Sequence, residues 1–253
     1  MRVFALSDIH VDYGVNANWV RSLSRYDFTD DILILAGDVS HRRSLLSWCL
    51  SEFAQRMRRV LFVPGNHDLW VLGEAPSKTS VQKFREVRQV VTESGASMEP
   101  LLEGGLYIAP LFGWYDYSFG EPSDELTQTW MDFRACRWPE AFGPSQAAEH
   151  FSQLNPRAVP RQAERVITFS HFLPRLDLVP PYVPSRHRIL DPVLGSTRLE
   201  RELRLLEPGI HVYGHSHINR DVCLDGVNYV NNAFGYPRED RIAAKALKCI
   251  DEL

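Results

Sequence analysis

The stretch "RVLFVPGNHD" (residues 59–68) decides the fold. Its apolar run suits a strand covered on both faces, as in a sheet with helices packed on either side. A turn accounts for Gly65 and Asn66, but not for His67 and Asp68 directly after them. The same design occurs twice upstream. "RVFAL" (2–6) runs into Asp8-Ile9-His10, and "DILILAGD" (31–38) ends in Gly37-Asp38. Residues 17–25 and 43–57 read as helices between these strands. A third helix is expected over 79–94, with Ser77, Thr79 or Ser80 as start signals and Gly95 as the stop. The first hundred residues therefore alternate strand and helix, which makes the chain an α/β protein.

Later apolar runs extend the pattern: "GLYIAPLFGW" (105–114), "RVITFSH" (165–171), "GIHVYGHSH" (209–217) and "RDVCLDGVNYVNNA" (220–233). Asp225-Gly226 inside the last is a hairpin signal. No linker-like break or internal repeat interrupts the 253 residues, so a single domain is expected over 1–253. Two stretches, 113–160 and 172–197, lack clear periodicity and read as long excursions near the site.

With 44% hydrophobic and 24% charged residues the composition is that of an ordinary globular protein, large enough to build a core without metal or disulfide staples. A net charge of −4 argues against a generic nucleic-acid binder, although a local basic groove stays open. Cys49, Cys136, Cys223 and Cys249 form no CxxC pair and read as reduced thiols. The chain turns polar too soon after Met1 for a secretory leader, and no apolar run reaches the length of a membrane span. A cytoplasmic location without a membrane partner is the expectation. Oligomeric state is not legible.

Strand exits carry the chemistry. Asp8 and His10, Asp38, Asn66 and His67, His171, then His215 and His217 each follow an apolar run. Carboxyl ends of strands are where ligands bind in open α/β sheets, so these residues can converge. Taken singly, each has an ordinary reading: a cap, a Gly-Asp turn, a satisfied core histidine. Five such motifs in order at strand exits do not arise together by chance. Oxygen and imidazole donors suit Mn²⁺, Fe, Zn²⁺ or Ni²⁺ rather than Cu(I) or an iron–sulfur cluster. If two metals sit close together, a carboxylate must bridge them, and Asp38 is the best candidate. Such a pair activates a bridging hydroxide for in-line attack on a phosphoryl group.

The ordered set D-x-H, G-D, G-N-H-D, a lone His and G-H-S-H, over positions 8–217, resembles the calcineurin-like metallophosphoesterases. The resemblance implies a four-layer α/β/β/α sandwich, two mixed sheets face to face with helices outside. It implies Asp8, His10, Asp38 and His217 as ligands of one metal and Asp38, Asn66, His171 and His215 as ligands of the other, with Mn²⁺ the leading pair of ions. It implies His67 as the group that protonates the leaving oxygen or steadies the phosphate. Asp68 would orient its neighbours, or act as a cap or turn carboxylate.

One departure matters. The protein Ser/Thr phosphatase branch has G-D-x-x-D-R-G, whereas this chain has "GDVSHRRS", with His41 at the second Asp. Protein phosphatase activity is disfavoured, and the closing Gly-His-Ser-His fits the phosphodiesterase and nuclease branch. His41, Arg186 and His187 are candidate substrate contacts, against the alternative of solvated loop residues. The aromatics of 113–160 suit either the minicore of a cap or a stacking platform. The expected activity is hydrolysis of phosphomono- or phosphodiesters, with a small nucleotide-like substrate favoured. The alternatives are a Mn²⁺-dependent nuclease acting on DNA or RNA, and a catalytically silent interaction scaffold.

Overall fold

The computed structural model describes residues 1–140 and 142–252; position 141, within the first excursion, and position 253 lie outside the described residues. The first sheet joins β1 (Arg2–Leu6), β2 (Ile32–Leu35) and β3 (Arg59–Phe62), all parallel, with β10 (Lys248–Glu252) antiparallel on β1. The order is β10-β1-β2-β3. Helices α1 (Gly14–Ser22) and α2 (Arg43–Ala54) connect these strands, and α3 (Ser80–Glu93) follows them. The C-terminal segment, ambiguous between helix and strand from its residues, is the closing strand β10.

The second sheet has the order β4-β5-β6-β7-β9-β8. Its parallel centre is β5 (Leu106–Pro110), β6 (Arg165–Phe169), β7 (Ile210–Tyr213) and β9 (Val227–Asn231). β4 (Leu101–Glu103) and β8 (Arg220–Leu224) pair antiparallel at its edges. Two mixed sheets flanked by helices make the expected four-layer sandwich.

Local chemistry explains the elements. Every residue of β2 is fully buried, because a helix covers one face of its sheet and the second sheet the other. Thr79 is the start of α3: its hydroxyl accepts from the Gln82 N–H, while the Gln82 side chain accepts from the Thr79 N–H. Asp225 and Gly226 both have positive φ, the mark of the tight turn joining β8 to β9.

The excursion between β5 and β6 carries α4 (Asp124–Thr129), α5 (Asp132–Ala135) and α6 (Pro144–Ser152). That between β6 and β7 carries α7 (Asp191–Leu194) and α8 (Thr197–Leu206). Trp114 packs edge-on against Trp138 and Phe172, so part of the aromatic set is a minicore. Among the described residues no helix is long and apolar enough to cross a membrane.

Candidate metal centre

The parallel strands of both sheets deliver their exit residues to one place. Backbone bonds lace the loops together: the Asp8 N–H donates to Gly37 O, the His10 N–H to Asp38 O and the Gly214 N–H to His171 O. Asp68 is the clip between the β2 and β3 exits. Its buried carboxylate accepts from the N–H groups of Asp38, Val39, Ser40 and Gly65, at 2.9–3.0 Å. Burial raises its pKa to about 6 against the lowering effect of those four donors.

Two groups of donor atoms result, Asp8, His10, Asp38 and His217, and Asp38, His171 and His215, with Asp38 common to both. Five of these residues, Asp8, His10, Asp38, His215 and His217, hold left-handed backbone angles, with φ between 40° and 67°. Such angles cost energy for residues other than glycine and cluster where a site over-determines the backbone.

The tautomers follow from the outward partners. Nδ1 of His171 lies 2.8 Å from Ala36 O, and Nε2 of His215 lies 3.0 Å from Val193 O. A carbonyl only accepts, so those nitrogens carry the hydrogens. The inward nitrogens, His171 Nε2 and His215 Nδ1, are then bare, yet they stand 3.1 Å apart. The Asn66 amide nitrogen donates to Asp132, which turns its oxygen to 3.2 Å from His171 Nε2. Asp38 Oδ1 lies 3.5 Å from the same nitrogen. The lone pairs of the two ring nitrogens and the Asn66 oxygen converge with no hydrogen between them, and with Asp38 beside them the donor set fits a divalent cation.

In the other group His10 Nε2 and His217 Nε2 are 3.2 Å apart, with Asp8 Oδ1 at 3.3 Å from His217. Glu239 holds His217 Nδ1 at 2.7 Å. Burial works against a charged His217, but Asp8 and Glu239 outweigh it and raise its pKa to about 10. A proton there satisfies the facing acceptors as a cation would. Burial, and then His217, lower His10 to about 3. Burial also raises Asp8, but the His217, His171 and His10 rings bring it below the usual carboxylate range. Burial and the Asp8 and Asp68 carboxylates push Asp38 well above that range.

His67 lies over Trp70, ring centroids 3.7 Å apart, with Nε2 3.8 Å from Asp38 Oδ2. It borders the cleft together with Asn66, Trp130, His215, Tyr236 and Glu239. Larger hollows elsewhere, of about 590 and 580 Å³, gather no such donors among the described residues, so size does not mark the site.

The three candidate substrate contacts lie outside that wall. His41 sits 4.0 Å from Asp12, with its ring 6.1 Å from that of Trp70. Arg186 and His187 are exposed on the turn Ser185–Leu190, of which only Leu190 reaches the cleft. Glu239, Tyr236, Trp70 and Asp132 also join the site, outside the five motifs. Trp70 alone had a positional signal, two residues beyond the Gly-Asn-His-Asp motif.

A family model for calcineurin-like phosphoesterases matches residues 1–219. The chain is a calcineurin-like phosphoesterase. Phosphoesterases of this family act with divalent metals, and the enzyme is a phosphoric ester hydrolase. It is 30% identical to the [acyl-carrier-protein] phosphodiesterase PptH of Mycobacterium tuberculosis, over 94% of this phosphoesterase and 79% of PptH. The crystal structure of phosphopantetheinyl hydrolase PptH from that organism superposes with a TM-score of 0.76, covering 98% of this phosphoesterase and 95% of that chain. At 24% identity in that superposition, the structural likeness speaks for the fold alone.

Proposed function

We propose that the enzyme hydrolyses a phosphodiester with two divalent cations, one held by Asp8, His10, Asp38 and His217, the other by Asp38, Asn66, His171 and His215. The observation that carries this reading is the pair of bare imidazole nitrogens 3.1 Å apart, with the Asn66 oxygen beside them. Bound there, such ions lower the pKa of a water and neutralise phosphoryl oxygens. The chain's own part is positional. Asp38 receives the His67 N–H at 3.0 Å and so fixes the loop that presents the imidazole. The His67 ring, flat on Trp70, is aimed at the leaving oxygen. Burial, then the His10, His171 and His217 rings, lower its pKa to about 2, so it begins as a neutral N–H donor. An anionic ester against it raises its proton affinity, so the ring takes up a proton from water as the substrate binds, hands it to the leaving oxygen as the P–O bond breaks, and returns to the neutral form.

The substrate class follows PptH, named for a carrier-protein phosphodiester. A phosphopantetheine-bearing diester is therefore the leading substrate. A nucleotide-like diester is the second reading, because the indoles of Trp70 and Trp130 line the cavity beside His67. The excursions 113–160 and 172–197 then serve this site within one domain.

The test is turnover of bis-p-nitrophenyl phosphate, p-nitrophenyl phosphate, a nucleotide panel and phosphopantetheinylated carrier protein, each with Mn²⁺, Zn²⁺, Ni²⁺ or Mg²⁺. Diester turnover is expected, with Asp38→Ala inactive and short of both metals. His67→Ala should keep its metals and slow by about 10²–10⁴-fold. Full metal occupancy in Asp38→Ala would remove the bridging assignment.

A further inference from the structure

The cleft opens twice around His67. One cavity, of about 200 Å³, reaches from His67 past His215 and His217 to Ile242. A second, of about 270 Å³, is walled by Trp70, Thr129, Trp130 and Met131. Asn66, His67, Trp130 and Tyr236 belong to both walls. A phosphate at His67 therefore has an exit on either side, which a diester needs and a monoester does not.

The second cavity is selective in charge. Among the described residues no Lys or Arg lines it, and its acidic member is Asp132. The Asp132 oxygens already accept from Asn66 at 2.8 Å, Trp70 at 2.7 Å and Trp130 at 2.9 Å. Beyond the metal side at Asn66 and His67, an anionic group entering there would lose water, meet no Lys or Arg and face a carboxylate. An uncharged arm with apolar surface would bury it against two indoles and a thioether.

We propose that this cavity, built by the α4–α5 junction, is the subsite for the uncharged ester arm of the substrate. Arms that carry a further phosphate or a carboxylate are refused. The proposal rests on the phosphodiesterase reading above and narrows its substrate.

The experiment is calorimetric binding of three phosphonates to the Mn²⁺-loaded enzyme: methyl-, phenyl- and 2-carboxyethylphosphonate. Phenylphosphonate should bind about tenfold more tightly than methylphosphonate, the scale of taking one ring out of water. The carboxyethyl compound should gain nothing. Thr129→Trp and Met131→Trp fill the cavity from exposed positions, and two variants guard against one misfolding. Each should abolish the phenyl advantage while methylphosphonate binding stays within about twofold of wild type. A carboxyethyl compound that binds as well as phenyl, or a phenyl advantage that survives in both variants, overturns the subsite. Bis-p-nitrophenyl phosphate turnover by the same preparation reports separately on the phosphodiesterase reading. If that turnover is absent the reading fails, while the phosphonate ranking still decides the cavity.

Discussion

Asp132 ties three side chains that would otherwise be free to rotate: the Asn66 amide, the indole beneath His67, and Trp130, whose ring stands edge-on to His215. Asp132→Asn keeps the shape but exchanges one acceptor for a donor, so at least one of the three N–H groups loses its partner. Metal affinity or kcat should fall about 10–100-fold, the usual effect of losing an outer partner of a metal ligand. Manganese titration alongside steady-state kinetics reads both; no change in either would mean that other contacts orient Asn66. Nothing in the sequence pointed to this residue. Asp8, His10 and Asp38 were legible because each lies within four residues of the end of an apolar run. Asp132 sits in a segment without periodicity, and its partners are 66 and 62 positions away for Asn66 and Trp70.

Strands and the turns that leave them were readable for a similar reason. Complete burial of β2 and the near-complete burial of β1 and β3 leave the residues little alternative to apolar side chains. β4 has three residues, none fully buried, and gives no such signal. Three helices of the excursions, α4, α5 and α7, have only four to six residues, too few to show a period. Tightness at the exits also makes a prediction. A Cβ on Gly65 would lie 2.1 Å from Asp38 Oδ1 and 2.7 Å from His171 Nε2. Gly65→Ala must therefore displace the carboxylate shared by both groups of donors. Bound manganese should fall from two ions per chain to one or none while the far-ultraviolet circular dichroism stays native; two retained ions would show that the loop yields instead.

For the molecule as a whole, a histidine fully buried on the second sheet makes stability depend on acid. His211 on β7 is fully buried, its ring between the Thr168 and Ser170 hydroxyls. Burial lowers its pKa to about 3. Above the unfolded value of about 6.5 neither state binds the proton, and the contribution to stability is complete. As pH falls below that value the unfolded chain takes up a proton that the native chain refuses. Stability then declines by about 1.4 kcal/mol per pH unit down to about pH 3. Denaturant unfolding of the metal-free protein between pH 7 and 4.5 should show this extra slope relative to His211→Gln. Parallel slopes would mean the native ring accepts the proton.

Asp38 has a thermodynamic consequence as the member common to both donor groups. On the two-cation reading, an ion on one side fixes the carboxylate that the other side must use. The two binding events are then linked, and linkage is reciprocal: any factor by which the first ion changes the affinity for the second is the factor by which the second holds the first. Loss of either ion would change the affinity for its neighbour by that same factor.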